Sequence, residues 1–512
     1  MKNNETPFYS SYSTWLGHCT FAVLTLMAFV FFKERTLILD AALQSFIILR
    51  DNDFAIQVNR FGAAMTQIFP LIASRLGGSL QTILTAYSLG CVVVHWGMFW
   101  LCDRILKQKE MAFGIVLFNV FMVNSTFYWA QNEVIQAISW GFVFWSLLLR
   151  RGSLAAFRWF DYPLVIGLLM TLVFFHPLFL FPFSFMSIYF LIDYYPKNKV
   201  INAPLNFKFQ TLNSFISLIL IVFLGFLIIY FLKNKLMPNY YDPTATERLF
   251  LDKKDLINFL LSIKNAPSFK DLKTHLWTDF ALLPFVLVMI SVFYLIKRHY
   301  LKLLLVWFSL IFYTLIILIS YREGGSWFHI ESQYLPMSIF VIMPLIWELI
   351  PQISNFRFQI SNSKSKKFGI WNLKLIMSFI ILFRLISIYK THDFYTKRVN
   401  YIGEILEKTK RFEGTKFVIE ERNIDKTPLI QTWGFAYESL YYSALQSPDS
   451  TRSITILIEK SAIIKALSAK NSFEGIFTPT PYKQLNPRLF HPTDTINGYK
   501  LLEEKDLEKA QY

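Results

Sequence analysis

Asp40 is the residue of this sequence best placed for chemistry. It lies in LILDAALQSFIILRDNDF, residues 37–54, only a few positions beyond a long apolar run. A carboxylate there can accept a hydroxyl proton, act as a general base or hold a divalent cation. The same position also suits the wet face of an ordinary surface helix. Leu39, Ala42, Leu43, Phe46 and Ile47 follow the i, i+3, i+4, i+7, i+8 pattern of one apolar helical face. At about 100° per residue, Asp40, Gln44 and Asp51 fall within roughly 40° of one another on a different stripe.

Other polar side chains stand beside apolar runs in the same manner. Arg60 opens the run FGAAMTQIFPLIASRL at 61–76, where a fixed guanidinium suits either a phosphate, through paired hydrogen bonds, or simple snorkelling to lipid head groups. The connection YWAQNEVIQAISW at 128–140 presents Glu133 and Gln136, and FFHPLF presents His176 with Pro177 restricting the backbone. The densest polar cluster is YREGGSWFHIESQYLP at 321–336. It holds Arg322, Glu323, His329, Glu331 and Gln333 beside a Gly-Gly pair and Trp327, a set suited to a phosphate and a sugar or to a solvated loop.

The elements that must position these groups follow from composition. Of 512 residues, 54% are hydrophobic and 18% aromatic, more than a water-soluble fold of this length can cover with polar surface. A spanning helix needs roughly 20 apolar residues. That predicts about eleven spans, at 15–32, 80–102, 111–130, 134–149, 162–176, 177–193, 212–232, 278–296, 303–320, 334–350 and 372–389. The first run lacks both a basic stretch before it and a small-residue cleavage pattern after it, so it is expected to remain as an anchor.

Lys and Arg gather after the even-numbered spans, as in Arg150, Arg151, Lys297 and Arg298. The net charge of +16 therefore reports orientation rather than a nucleic-acid partner. The positive-inside rule, by which Lys and Arg stay on the cytoplasmic side, predicts a cytoplasmic N-terminus and three long outer segments, 33–79, 233–277 and 390–512, with the Ser/Lys-rich stretch 351–371 on the inner side. Within 33–79 the two amphipathic runs are too short to span and are expected to lie in the interface, the second broken at Pro70. From 391 onward charge rises, and the pattern predicts a small α/β domain with helices at 394–410 and 436–445 and strands at 414–421 and 452–459. Cys19, Cys91 and Cys102 fall within spans and offer no disulfide framework or zinc spacing. No Walker loop, dinucleotide fingerprint or nucleophile elbow is present.

The order of these parts resembles the GT-C superfamily of polytopic glycosyltransferases. ILDAALQSF and NRFGAAMTQIFP are similar to that family's first outer loop, with two membrane-parallel helices and an acid soon after the first span. YWAQNEV resembles its Tyr-rich acidic junction, and ESQYLPMSIFVIMPL its Arg-Tyr-Leu-x-Pro lead-in to a late span, with Gln333 at the usual basic position. The family's Asp-Glu pair is Asp40–Ala41 here.

The resemblance implies a mostly α polytopic fold, residues 1–390, with an extracytoplasmic domain at 391–512. It also implies inverting transfer of a sugar from a polyprenyl phosphate to a glycan, lipid or protein acceptor on the outer face of the cytoplasmic (inner) membrane. Asp40 would be the base, and Arg60, Arg322 and His176 contacts to the leaving phosphate. Gln44, Glu133, His329 and Glu331 complete the expected substrate contacts. A divalent metal is used by some members and not others. Two further readings are a transporter or flippase, and a non-catalytic assembly protein for envelope polysaccharide.

Overall fold

The computed structural model describes residues 8–195, 208–239, 241–242, 247–249, 251–325, 327–355, 365–429, 431–477, 479–494 and 496–507. The fold is mostly helical. Among the described residues seven helices are long and apolar enough to cross a membrane: Ser11–Val30, Leu80–Ile105, Pro177–Tyr194, Phe215–Leu236, Tyr300–Ser320, Met337–Ser354 and Asn372–Thr409. Pro267–Trp277 and Leu282–Ile296 reach that length and apolarity only when taken together, and they are bent by 79° where they meet.

The other three expected spans take a different form. The apolar stretch at 111–130 is helical only over Lys109–Phe118, then turns through a short 3-10 segment, Ser125–Tyr128. The turn is stable because Glu331 accepts hydrogen bonds from the backbone N–H groups of Asn124, Ser125 and Thr126 at 2.9–3.1 Å. Glu133–Arg151 is a 19-residue helix buried on every face along most of its length, ends in Arg150 and Arg151, and is not among those seven. Asp161–Val173 has only 13 residues.

Both short runs of the first long loop are helices, Leu39–Asp51 and Ala64–Arg75. Asn52, left-handed at φ 52°, ends the first of them. The second continues through Pro70 rather than breaking there. The two pack together through a buried hydrogen bond from Gln67 Nε2 to Gln44 Oε1, 3.1 Å. Of the stretch 351–371, residues 356–364 lie outside the described residues, and the parts on either side are helical.

The last third of the chain leaves the bundle along Asn372–Thr409, with a break in the helix at Thr391. Lys416–Glu420 (β1), Ser453–Leu457 (β2) and Lys500–Leu502 (β5) form an all-parallel sheet in the order β2-β1-β5. Ser472–Glu474 (β3) and Pro479–Pro481 (β4) pair separately as an antiparallel ribbon. Parallel strands need crossovers, and the helices Phe435–Gln446 and Lys460–Ser468 supply them. Phe417, Ile419, Ile454, Ile456 and Leu502 from the sheet bury against Ile402, Ile405 and Leu406.

A second core is shared with the first loop. Leu43, Phe46 and Leu49 pack with Leu440, Tyr441, Phe473 and Phe490. At about 1.5–3 kcal/mol for each fully buried large apolar side chain, this contact fixes Leu39–Asp51 against the C-terminal region.

Candidate active site

The start of Leu39–Asp51 is held by long-range contacts rather than by a local cap. Leu39 has φ 36°, a left-handed conformation that costs a non-glycine residue about 1–2 kcal/mol. Its N–H donates to Glu438 Oε1 at 2.7 Å, a residue 399 positions away in sequence. Glu438 is itself held by Arg398, whose Nη2 lies 2.6 Å from both carboxylate oxygens, and both side chains are fully buried. Gly434 makes the approach possible, because a Cβ at that position would meet Leu39 Cα at 2.8 Å.

This clamp sets Asp40 in the wall of a cavity of about 620 Å³. Tyr241, Arg248, Arg322, Trp433 and Phe477 stand around it, from four separate parts of the chain. Among the described residues no hydrogen-bond partner engages the Asp40 carboxyl. Burial, and after it the negative charge of Glu133, raise its pKa while the Arg60 guanidinium lowers it, and together they leave it at about 7.

Arg60 lies 3.5 Å from Glu133 and 3.6 Å from Asp242, with its guanidinium 5.4 Å from the Tyr241 ring centre. The cluster retains unused hydrogen-bonding capacity. Arg60 Nε, Asn132 Nδ2 and both amide atoms of Gln136 are buried with no partner among the described residues. Buried polar groups are nearly always satisfied by protein or by water, so these atoms give the cluster spare donors and acceptors.

The structure brings Asp40, Arg60, Glu133 and Arg322 into one region and assigns other expected residues elsewhere. Gln44 is 1% exposed, and its Oε1 accepts hydrogen bonds from Tyr87 and Gln67, so it braces the two loop helices instead of meeting a substrate. Glu331 is fully buried as the acceptor for the 124–126 turn, and that burial raises its pKa. His176 caps the short segment Pro177–Phe179, its Nδ1 accepting from Leu178 N–H at 3.2 Å. Arg322 lines the cavity and donates to the Arg248 carbonyl at 3.0 Å. The side chain of His329 lies outside the described residues.

Sequence reasoning missed Tyr241, Asp242 and Arg248, which lie in the long outer segment expected at 233–277. It also missed Trp433, Phe477, Glu438 and Arg398, for which no local signal exists. Among the described residues no group of three or more His, Cys, Asp or Glu side chains could hold a metal ion. No protein-family model matches the chain, and no curated protein matches it.

Proposed function

We propose that this protein is a membrane glycosyltransferase of the GT-C type, transferring a sugar from a polyprenyl phosphate to an acceptor on the outer face of the cytoplasmic membrane. In this reading the N-terminus is cytoplasmic, the cavity and residues 391–512 are outside, and Leu39–Asp51 and Ala64–Arg75 lie near the lipid interface. Asp40 takes the proton of the acceptor hydroxyl as its oxygen bonds to the anomeric carbon. The bond from that carbon to the lipid-phosphate oxygen breaks with inversion, and the electron pair leaves with the phosphate. Arg248 and Arg322 at the cavity wall, with Arg60 behind Asp40, offset the charge developing on the phosphate.

The observation that carries the reading is an unengaged carboxyl with a pKa of about 7, facing a cavity with two guanidiniums in its wall. A general base works best when its pKa lies near the operating pH. A transport path is less well supported. Of the acids and bases at span ends, Asp193 takes Lys302 at 2.6 Å and Arg384 donates to Val120 and Val123 carbonyls, so both are engaged in packing.

The test is Asp40→Asn in the producing cell, read as surface glycan and lipid-linked acceptor by mass spectrometry, with membrane insertion measured alongside. Transfer is expected to fall by roughly 10²–10⁴-fold. Unchanged product at normal protein levels would remove Asp40 from the mechanism.

A further inference from the structure

Phe477 forms part of the wall of the Asp40 cavity. That ring also lines a second space of about 300 Å³, together with Phe46 and Tyr437. Arg50 in turn is shared between this space and a third cleft of about 940 Å³. The three spaces follow one another along the helix Leu39–Asp51, from the edge of its apolar face that carries Asp40 to the edge that carries Arg50. Asp40 faces the first, Leu43 and Ile47 the second, and Arg50 the boundary with the third, at spacings of three, four and three residues. At 1.5 Å per residue the groove runs about 15 Å along the helix from Asp40 to Arg50.

Its chemistry changes along that length. The middle offers the exposed ring of Phe477, which suits the apolar face of a sugar ring, while Phe46 and Tyr437 are packed into the second core behind it. In the far cleft Arg50 is neutralised by Asp51 at 2.7 Å, but Arg75, Lys483 and Arg488 have no carboxylate partner among the described residues. Among the described residues, Arg75 and Arg488 are anchored only to the carbonyls of Asn52, at 2.9 Å, and Ser74, at 3.2 Å, which leaves their charge uncompensated there. Asn52 and Asn486 supply neutral hydrogen-bonding groups between the cations.

We propose that this groove holds the acceptor, and that the acceptor is an extended glycan bearing acidic groups about 15 Å from the reacting hydroxyl. The proposal rests on the glycosyltransferase reading and names the substrate class of that site. A cleft lined by asparagines and an aspartate, reached past aromatic rings, favours a hydroxylated chain with sparse charge over a lipid head group.

The experiment uses the full chain in phosphatidylcholine nanodiscs, titrated with hexagalacturonate and with neutral maltohexaose. The acidic oligosaccharide is expected to bind at least about tenfold tighter, a difference of about 1.4 kcal/mol, with the preference weakening as salt rises. The triple variant R75Q/K483Q/R488Q should bring the two sugars close to parity. Lys483→Gln alone, at an exposed site with no internal hydrogen bond among the described residues, should reduce the preference several-fold without altering the fold.

Equal binding of both sugars by the parent, or a preference that survives the triple variant, overturns the proposal. So does a triple variant whose only defect is weaker partitioning of phosphatidylglycerol, which would make the cluster a lipid contact. Asp40→Asn separates the two levels. Lost transfer with an unaltered sugar preference supports both. Unchanged transfer with an intact preference removes the catalytic reading and leaves the binding groove. Lost transfer without any parent preference removes the groove alone.

Discussion

A carboxyl group with a pKa of about 7 is half ionised at neutral pH, and in Asp40 this makes pH a direct probe of role. The base must be ionised, so the transfer rate should fall as pH drops through about 7. Glu133 pushes the pKa up and Arg60 holds it down. Glu133→Gln should therefore move the acid limb of the rate profile to lower pH, and Arg60→Gln should move it to higher pH. Initial rates in nanodiscs between pH 5 and 9 would check both signs, and shifts in the same direction would disprove the coupling. Stability follows the linked argument. The folded pKa stands above the unfolded value of about 3.9, so the parent should lose stability relative to Asp40→Asn as pH rises from about 4 to about 7 and stay at that deficit above. Melting temperatures of the two proteins across that window measure it. Two of the expected substrate contacts do other work: the side-chain oxygens of Gln44 and Glu331 are occupied by internal donors.

Elements here are joined by single buried polar contacts, and each makes a prediction. The helix Leu39–Asp51 is aimed by the N–H of Leu39 on Glu438, which Arg398 holds in place. Arg398→Met leaves a buried carboxylate without its guanidinium and should cost about 3–5 kcal/mol. Pairing it with Glu438→Gln should recover part of that loss. Glu438 would act as a positioning residue, so the loosened helix should let water reach Asp40 and carry the acid limb toward ordinary carboxylate pH, an effect that mere destabilisation does not produce. Glu331→Ala removes the shared acceptor of the 124–126 turn and should cost roughly 3 kcal/mol or more by thermal unfolding, since buried donors left unpaired cost about 1–3 kcal/mol each. The sequence period located Leu39–Asp51 and the strands β1 and β2 within about two residues. It failed at 111–130, where the apolar content matches a span but a carboxylate from a distant helix stabilises a turn instead.

At the scale of the whole molecule, residues 391–512 form a wall of the site as well as a folded unit. Trp433 and Phe477 line the cavity, and the second core joins Leu43, Phe46 and Leu49 to Leu440 and Phe473. Deletion of 391–512 should thus expose that apolar face and release Leu39. Hydrogen exchange over 39–51 in nanodiscs should rise to the level of a frayed loop, while exchange in Leu80–Ile105 stays slow; unchanged protection of 39–51 would show that the first loop holds itself. The sequence by itself determined that the chain has many long apolar helices, that a short amphipathic helix carries Asp40, and that charged α/β structure follows the last span. Those properties depend on spacing within a dozen residues, which periodicity reports. Only the tertiary structure decided which acids remain unengaged, which cations face Asp40, and that Glu438 sets its position. These depend on burial by segments hundreds of residues apart, and burial is created by packing, to which no local pattern gives access.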